Sequence, residues 1–278
     1  MSEESLESAI ERSLELDSVD LPLKPEIVTR VLAMSRNPDA CFNHLSRLIH
    51  NDPMLAAHVI RVSNSPAYIG RVRVGTLRQA VTRIGMRMLS ELAITVGISE
   101  VFRVPGFERQ AEHIWRHAIT SASFAREIAR ASGVHEEASF LCGLLHTIGR
   151  PVVLRTAVST ADYLGEDVSQ ELLVDMMLNW EGAVGERLGA AWDLPRPVRE
   201  AIQHHRDFTG AAKHRDLVAV TQFASLMATR VIEDEVKAEV ELLKEHPAVQ
   251  ELEIAEEALE ELIERMEKAL PTVRAIAA

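Results

Sequence analysis

Four histidines fall in segments of helical periodicity whose other residues are mostly apolar: His117 in "IWRHAIT", His146 in "LLHTIG", and His204 with His205 in "AIQHHRD". Imidazoles drawn from separated stretches of a helical bundle are one way such bundles collect metal ligands. Neighbouring residues on a helix point about 100° apart, so His204 and His205 are not expected to aim squarely at one centre. Taken singly, each histidine reads as a hydrogen-bonded core or groove residue. Taken together, they suggest a polar centre without specifying its chemistry.

A second set of residues could recognise rather than react. The stretch "RVRVGTLRQAVTRIGMR" places Arg71, Arg73, Arg78, Arg83 and Arg87 close together in a chain whose formal net charge is -12. That acidic total argues against general nucleic-acid binding, which uses a basic face to neutralise phosphates. The local cluster reads either as a solvated helix face or as a docking patch for an acidic partner or an anionic ligand. Glutamate dominates the segment from Glu233 to Lys268, so local and total charge have to be weighed separately.

The elements that must position these groups are helical. Apolar residues recur at three or four positions in nearly every segment, and no alternating run is long enough for a sheet; the expected fold class is all-α. In "NDPMLAAHVIRVSNSPAY", Asp52 can cap a helix that Pro53 opens, and "NSP" ends it. From Leu77, the positions Val81, Ile84, Met88, Leu92 and Val96 form one expected buried stripe. Pro105 and Gly106 mark the best internal boundary. In the last helix, Leu252, Ala255, Leu259, Leu262, Met266 and Ala269 alternate with glutamates. That stripe fits packing on its own domain or, as the alternative, dimerisation or partner binding. The resulting division is an acidic segment 1–19, an N-terminal helical subdomain 20–105, a helical bundle 106–232 and an acidic helical extension 233–278.

Composition bounds the rest. At 278 residues, 47% hydrophobic and 26% charged, the chain is that of a folded globular protein. Uncharged runs such as "LVAVTQFASLMAT" fall short of the ~20 residues that span a bilayer, and the acidic start has no signal-peptide pattern, so a cytoplasmic location is expected. Cys41 and Cys142 lie in different apolar segments and read as core thiols, with neither a disulfide framework nor a Cys-based zinc site implied.

An ordered set of motifs resembles one family: "LPLKPEIVTRVL", "IHNDPMLAAHVIRVSNSPAY", "TLRQAVTRIGMRMLSELAI", "IWRHAITSASFAREIA", "ASFLCGLLHTIGRPVVL" and "LGAAWDLPRPVREAIQHH". Together they cover roughly residues 20 to 230 and are similar to the HDOD family, the HD-related output domain of bacterial signalling proteins, itself related to metal-dependent HD phosphohydrolases and HD-GYP phosphodiesterases. The resemblance implies an N-terminal helical subdomain packed on an HD-like bundle, with output through protein contacts. It places His117 and His146 at the two HD histidines, and Thr147 where the catalytic families carry the aspartate. Ser225 falls about where their final aspartate ligand would be, and Glu181 where relatives often carry a histidine. His204 and His205 match the later histidine pair, and Arg150 replaces a common lysine. The glycine-tyrosine-proline signature is absent.

The departures have a physical meaning. A divalent site that activates water uses carboxylates to balance the cation's charge; Thr147 and Ser225 offer neutral hydroxyls instead. Residues His117, His146, Thr147, Glu181, His204, His205 and Ser225 are therefore expected to line a vestigial cavity with no catalytic residue, no metal and no cofactor. The expected function is a non-catalytic signal-transduction module that binds an unidentified, acidic signalling partner. A divergent metal-dependent phosphohydrolase or phosphodiesterase, a sensor whose former catalytic cavity binds a small molecule, and a homodimer are the alternatives. No membrane insertion is expected.

Overall fold

The computed structural model describes residues 5–15, 19–26, 28–29, 49, 53–66, 68, 72–232 and 243–277. Among these residues there are helices and no strand. The helices are α1 (Leu6–Glu15), α2 (Pro53–Ser63), α3 (Leu77–Ile98), α4 (Glu108–Ser132), α5 (Glu136–Leu145), α6 (Gly149–Leu164), α7 (Gln170–Ala191), α8 (Arg196–His204), α9 (Arg215–Ile232), α10 (Pro247–Glu251) and α11 (Glu256–Ala277). The chain forms two compact units, one of residues 1–23 with 101–256 and one of 24–100 with 257–278. None of the described helices is long and apolar enough to cross a membrane.

In the first unit α4 lies against α5 and α9, while α7 lies against α6 and α8. The contact face of α4 is a run of small buried residues, Ala118, Ala122, Ala125 and Ala129, which lets a neighbouring backbone come close. Gly143 of α5 uses that space: a Cβ there would sit 2.8 Å from the Ala122 Cα. The approach of α6 to α7 is closer still, since a Cβ on Gly149 would lie 2.0 Å from the Glu181 carbonyl oxygen. Each helix has its own stop or start. Gly133 ends α4 in the left-handed conformation, φ 73°, and the Ser169 hydroxyl accepts from the Leu172 amide at 3.1 Å to open α7.

The N-terminal acidic stretch is built into this unit. Ile10 and Leu14 of α1 are fully buried, the helix packs on α6 and α7, and Arg187 donates to the Leu14 carbonyl. Further on, Trp192 Nε1 donates to the Pro22 carbonyl at 2.8 Å, which fixes the start of the "LPLKP" motif.

In the second unit Pro53 opens α2 as expected; Asp52 lies outside the described residues. Thr76 and Gln79 close a reciprocal capping box at the start of α3. The single stripe expected along α3 is corrected by a kink at Gly85, φ 77° and ψ 170°. A glycine inside a periodic run can take this conformation without a Cβ clash. Val81, Met88 and Leu92 are buried, whereas Ile84 and Val96 are half-buried and Leu89, Ala93 and Ile98 join the core beyond the kink. The expected terminal stripe also shifts. Leu252 precedes α11, Ala255 is exposed, and burial continues through Val273 and Ile276 past Pro271.

Deleting residues 257–278 is therefore expected to lower the melting temperature with no change in oligomeric mass. Leu259, Leu262, Met266, Val273 and Ile276 are buried within their own chain, and each fully buried apolar side chain contributes roughly 1.5 kcal/mol or more. A thermal melt run beside sedimentation checks this; an unaltered melt would show that α11 adds nothing to its unit.

Candidate functional site

Five helices converge on one buried polar cluster in the first unit. His117 comes from the middle of α4, His146 caps the C-terminus of α5, Glu181 lies on α7, His205 caps the C-terminus of α8, and Ser225 lies on α9. His117, His146, Thr147, Glu181 and His205 are all buried. Each imidazole on a cap has its Nδ1 against a carbonyl of its own last turn: Gly143 O at 2.8 Å for His146 and Ile202 O at 3.1 Å for His205. At His146 that contact fixes the tautomer, because Nδ1 must donate. The Nε2 lone pair of His146 is then left to accept from the His117 Nε2–H at 3.3 Å and the Ser225 hydroxyl at 3.2 Å. His117 Nε2 is also 3.1 Å from the Ser225 oxygen.

Electrostatics keep both of these histidines neutral. Burial, reinforced by the Arg150 guanidinium, lowers the His117 pKa to about 3. His146 is held well below its ordinary value by burial, then by His205, His117 and Arg150.

Glu181 forms the other half of the cluster. Burial works to raise its pKa, but hydrogen bonding to His205 and the charge of Arg150 outweigh that and hold the carboxyl well below the usual carboxylate range. Arg150 Nε donates to Oε2, Arg206 Nη2 lies 2.5 Å from Oε1, and His205 Nε2 lies 3.4 Å from Oε1. A carboxylate this deep requires a cationic partner, and two guanidiniums supply it. Neither Arg150 nor Arg206 was among the expected site residues. The burial of Glu181 is the signal that could have found them, and burial of a polar residue in a mixed helical segment is not visible from sequence.

Two expected members behave differently. Thr147 is fully buried and its hydroxyl has no hydrogen-bond partner among the described residues. His204 is turned away from the cluster: its Nδ1 lies 2.7 Å from where a Cβ on Gly210 would sit, beside the turn that follows α8. The divergence of adjacent side chains on a helix accounts for this.

The donor set does not fit a divalent metal. Two imidazoles are engaged with each other and with Ser225, and a cation at Glu181 would meet the two positive charges already there. Among the described residues no group of three or more His, Cys, Asp or Glu side chains is placed to hold a metal ion. Cys142 is a buried thiol whose pKa burial pushes up to about 12; Cys41 lies outside the described residues.

In the second unit the arginine cluster separates into distinct parts. Arg73, Arg78 and Arg83 line one surface depression, while Arg71 lies outside the described residues. Arg83 turns inward and donates to the Val72 carbonyl at 2.5 Å. Arg87 is exposed but is not part of that lining.

Similarity to known proteins agrees with this architecture. The chain is 27% identical over 219 residues to an uncharacterized protein of Treponema pallidum (strain Nichols), aligning 74% of this chain with 42% of that protein, and so spans less than half of its length. An HDOD domain protein of unknown function from Geobacter sulfurreducens has a solved structure with a TM-score of 0.73 at 22% identity, covering 98% of this chain and 96% of that one. A Shewanella amazonensis SB2B protein, whose name proposes a phosphohydrolase, superposes with a TM-score of 0.71 at 22% identity over 97% of both chains. At these identities the structures establish a shared all-helical fold. A sequence profile of the HDOD domain matches residues 21–208, well over half of the 278 residues, and the chain belongs to the HDOD domain family.

Proposed function

We propose that this HDOD protein is a non-catalytic regulatory module of bacterial signal transduction that resides in the cytoplasm and acts through protein contacts. The observation that carries this reading is the state of Glu181: the buried carboxylate beside the two HD-type histidines is taken up by Arg150 and Arg206. Where a hydrolase would need anionic ligands for a water-activating cation, this chain supplies hydroxyls at Thr147 and Ser225 and fixed positive charge. The HD-like bundle, residues 106–232 in the sequence-based division, serves in this reading as a scaffold for recognition.

Purified protein supplied with magnesium, manganese or zinc is expected to show no cleavage of cyclic dinucleotides or phosphomonoesters. Turnover that survives repurification and vanishes in His146→Ala would reject the non-catalytic reading. Thr147→Asp alone should create no activity, since the guanidinium-filled cluster around it is unchanged.

A ligand-sensing role is favoured by one specific feature. A groove of about 310 Å³, lined by Leu178, Asn179, Glu181, Gln203, His205 and Arg206 among others, opens onto the cluster. A small molecule seated there would raise the melting temperature in proportion to its saturation.

A further inference from the structure

Most surface arginines are solvated and move freely, but the stretch around Arg73 is held by its backbone. The Asn64 side chain bridges it in both directions, donating from Nδ2 to the Val74 carbonyl at 2.8 Å and accepting from the Val74 amide at 2.9 Å. The same Nδ2 lies 3.0 Å from the Ile60 carbonyl in the last turns of α2. Arg83 of α3 donates to the Val72 carbonyl, and the Gly75 amide donates to Gln79 Oε1 at 3.0 Å. Fixed on both sides in this way, the segment presents two side chains outward. Val72 is 71% exposed, unusual for a β-branched apolar residue on a pinned backbone. Arg73 is exposed too, as is Arg78 one helical start away. Neither Arg73 nor Arg78 makes an ion pair or a side-chain hydrogen bond among the described residues.

Two depressions meet at this segment and share Arg73 and Val74. One, of about 710 Å³, has an apolar floor that includes Ala57, Ile60, Pro66 and Ala275. The other, of about 420 Å³, is bordered by Arg78, Gln79, Thr82 and Arg83. Among the described residues no aspartate or glutamate lines either depression, although the chain carries 42 acidic residues. An apolar floor, a preset exposed valine and two unpaired guanidiniums are the ingredients of a recognition surface, where arginine is over-represented and prior ordering lowers the entropic cost of binding.

We propose that this double depression seats an acidic peptide segment of a partner protein, with apolar side chains on the Ala57–Ile60 floor and against Val72, and carboxylates on Arg73 and Arg78. The proposal rests on the protein-contact reading above and names the chemistry of the partner. Guanidinium forks pair with carboxylates through two parallel hydrogen bonds. A nucleic acid fits less well, because its dense phosphates would be opposed by the net charge of -12 and would leave the apolar floor unused.

The test is fluorescence anisotropy of the full chain with a labelled peptide alternating leucine and glutamate, a leucine-lysine counterpart, and a single-stranded oligonucleotide of matching charge. The glutamate peptide should bind saturably and lose affinity as salt is raised, and the lysine peptide should not bind. The double variant Arg73→Glu/Arg78→Glu should bind the glutamate peptide at least about tenfold more weakly, a difference near 1.4 kcal/mol, at an unchanged melting temperature. Arg73→Gln/Arg78→Gln, which introduces no new charge, should weaken it in the same direction. Equal binding by wild type and both variants, absence of peptide binding, or tighter binding of the oligonucleotide would overturn the assignment. So would a dimer that dissociates in the variants without peptide binding, which would transfer the surface to a second copy of the chain. The turnover assay on the same preparation separates the two levels: hydrolysis defeats the non-catalytic reading, whereas an inactive protein that ignores the peptide defeats this docking site alone.

Discussion

Replacing Glu181 by alanine is expected to destabilise the first unit by about 3 kcal/mol, the lower end of the cost of breaking a buried ion pair by removing one partner. Glu181 is 2% exposed, and its loss leaves Arg150 and Arg206 facing each other without the carboxylate that holds them. The lower end applies because the Arg206 side chain is 46% exposed and can turn into water, where its charge is screened. Urea unfolding of the variant beside wild type measures the difference. Glu181→Gln, close in shape and neutral, should fall between the two. The combination Arg150→Met/Glu181→Leu should recover much of the loss, because it removes the buried charges together. A Glu181→Ala variant as stable as wild type would mean that the cluster contributes no net stability and that the arginines are held by something else.

Acidification should remove stability well before most carboxylates titrate. The folded pKa of His117 is about 3, against about 6.5 for an unfolded chain, and His146 is lowered in the same direction. Between these values the unfolded chain holds more protons than the folded one, so stability falls as the pH drops below about 6.5 and is unaffected by these groups above that. Each proton of difference costs about 1.4 kcal/mol per pH unit, so a loss of roughly 2 kcal/mol between pH 7 and pH 5 is expected from His117 alone, and His146 adds to it in the same direction. His58 in the second unit, lowered to about 4 by burial and by Arg61, acts in the same sense. Glu181, held below the ordinary carboxylate value, extends the loss below pH 4.5. Chemical denaturation at a series of pH values tests this, and His117→Gln should make the profile shallower between pH 6.5 and 5 by the share that His117 contributes. A profile already flat in wild type would contradict neutral burial of the two rings.

Local signals carried well from sequence into structure where the chemistry is local. Pro53 opens α2, and the histidines of "IWRHAIT" and "LLHTIG" meet with Nε2 atoms 3.3 Å apart. What was hidden depended on three-dimensional neighbours or on a glycine's choice of conformation. Arg150 and Glu181 are 31 residues apart, and no pattern in either segment announces the pair. Periodicity along α3 continues through Gly85 on paper because a hydrophobic count assigns a glycine no backbone angle. The expected terminal stripe stopped at Ala269, yet α11 runs on through Pro271 to Ala277, with Val273 and Ile276 buried beyond. The choice between His204 and His205 needed the phase of α8, which adjacency in sequence leaves open.

Gly149 has a mechanical consequence. With only hydrogen on its Cα, the first turn of α6 rests on the α7 backbone at Glu181, and the next residue is Arg150. The two helices are thereby locked in register like meshed gear teeth: α6 cannot roll about its axis without driving its own chain into α7. The place of the Arg150 guanidinium is inherited from that mesh more than from a choice among rotamers. A substitution among the hydroxyls and imidazoles of the cluster leaves that backbone contact in place. Any side chain at position 149 would instead part both helices and pull the arginine from its carboxylate in a single step.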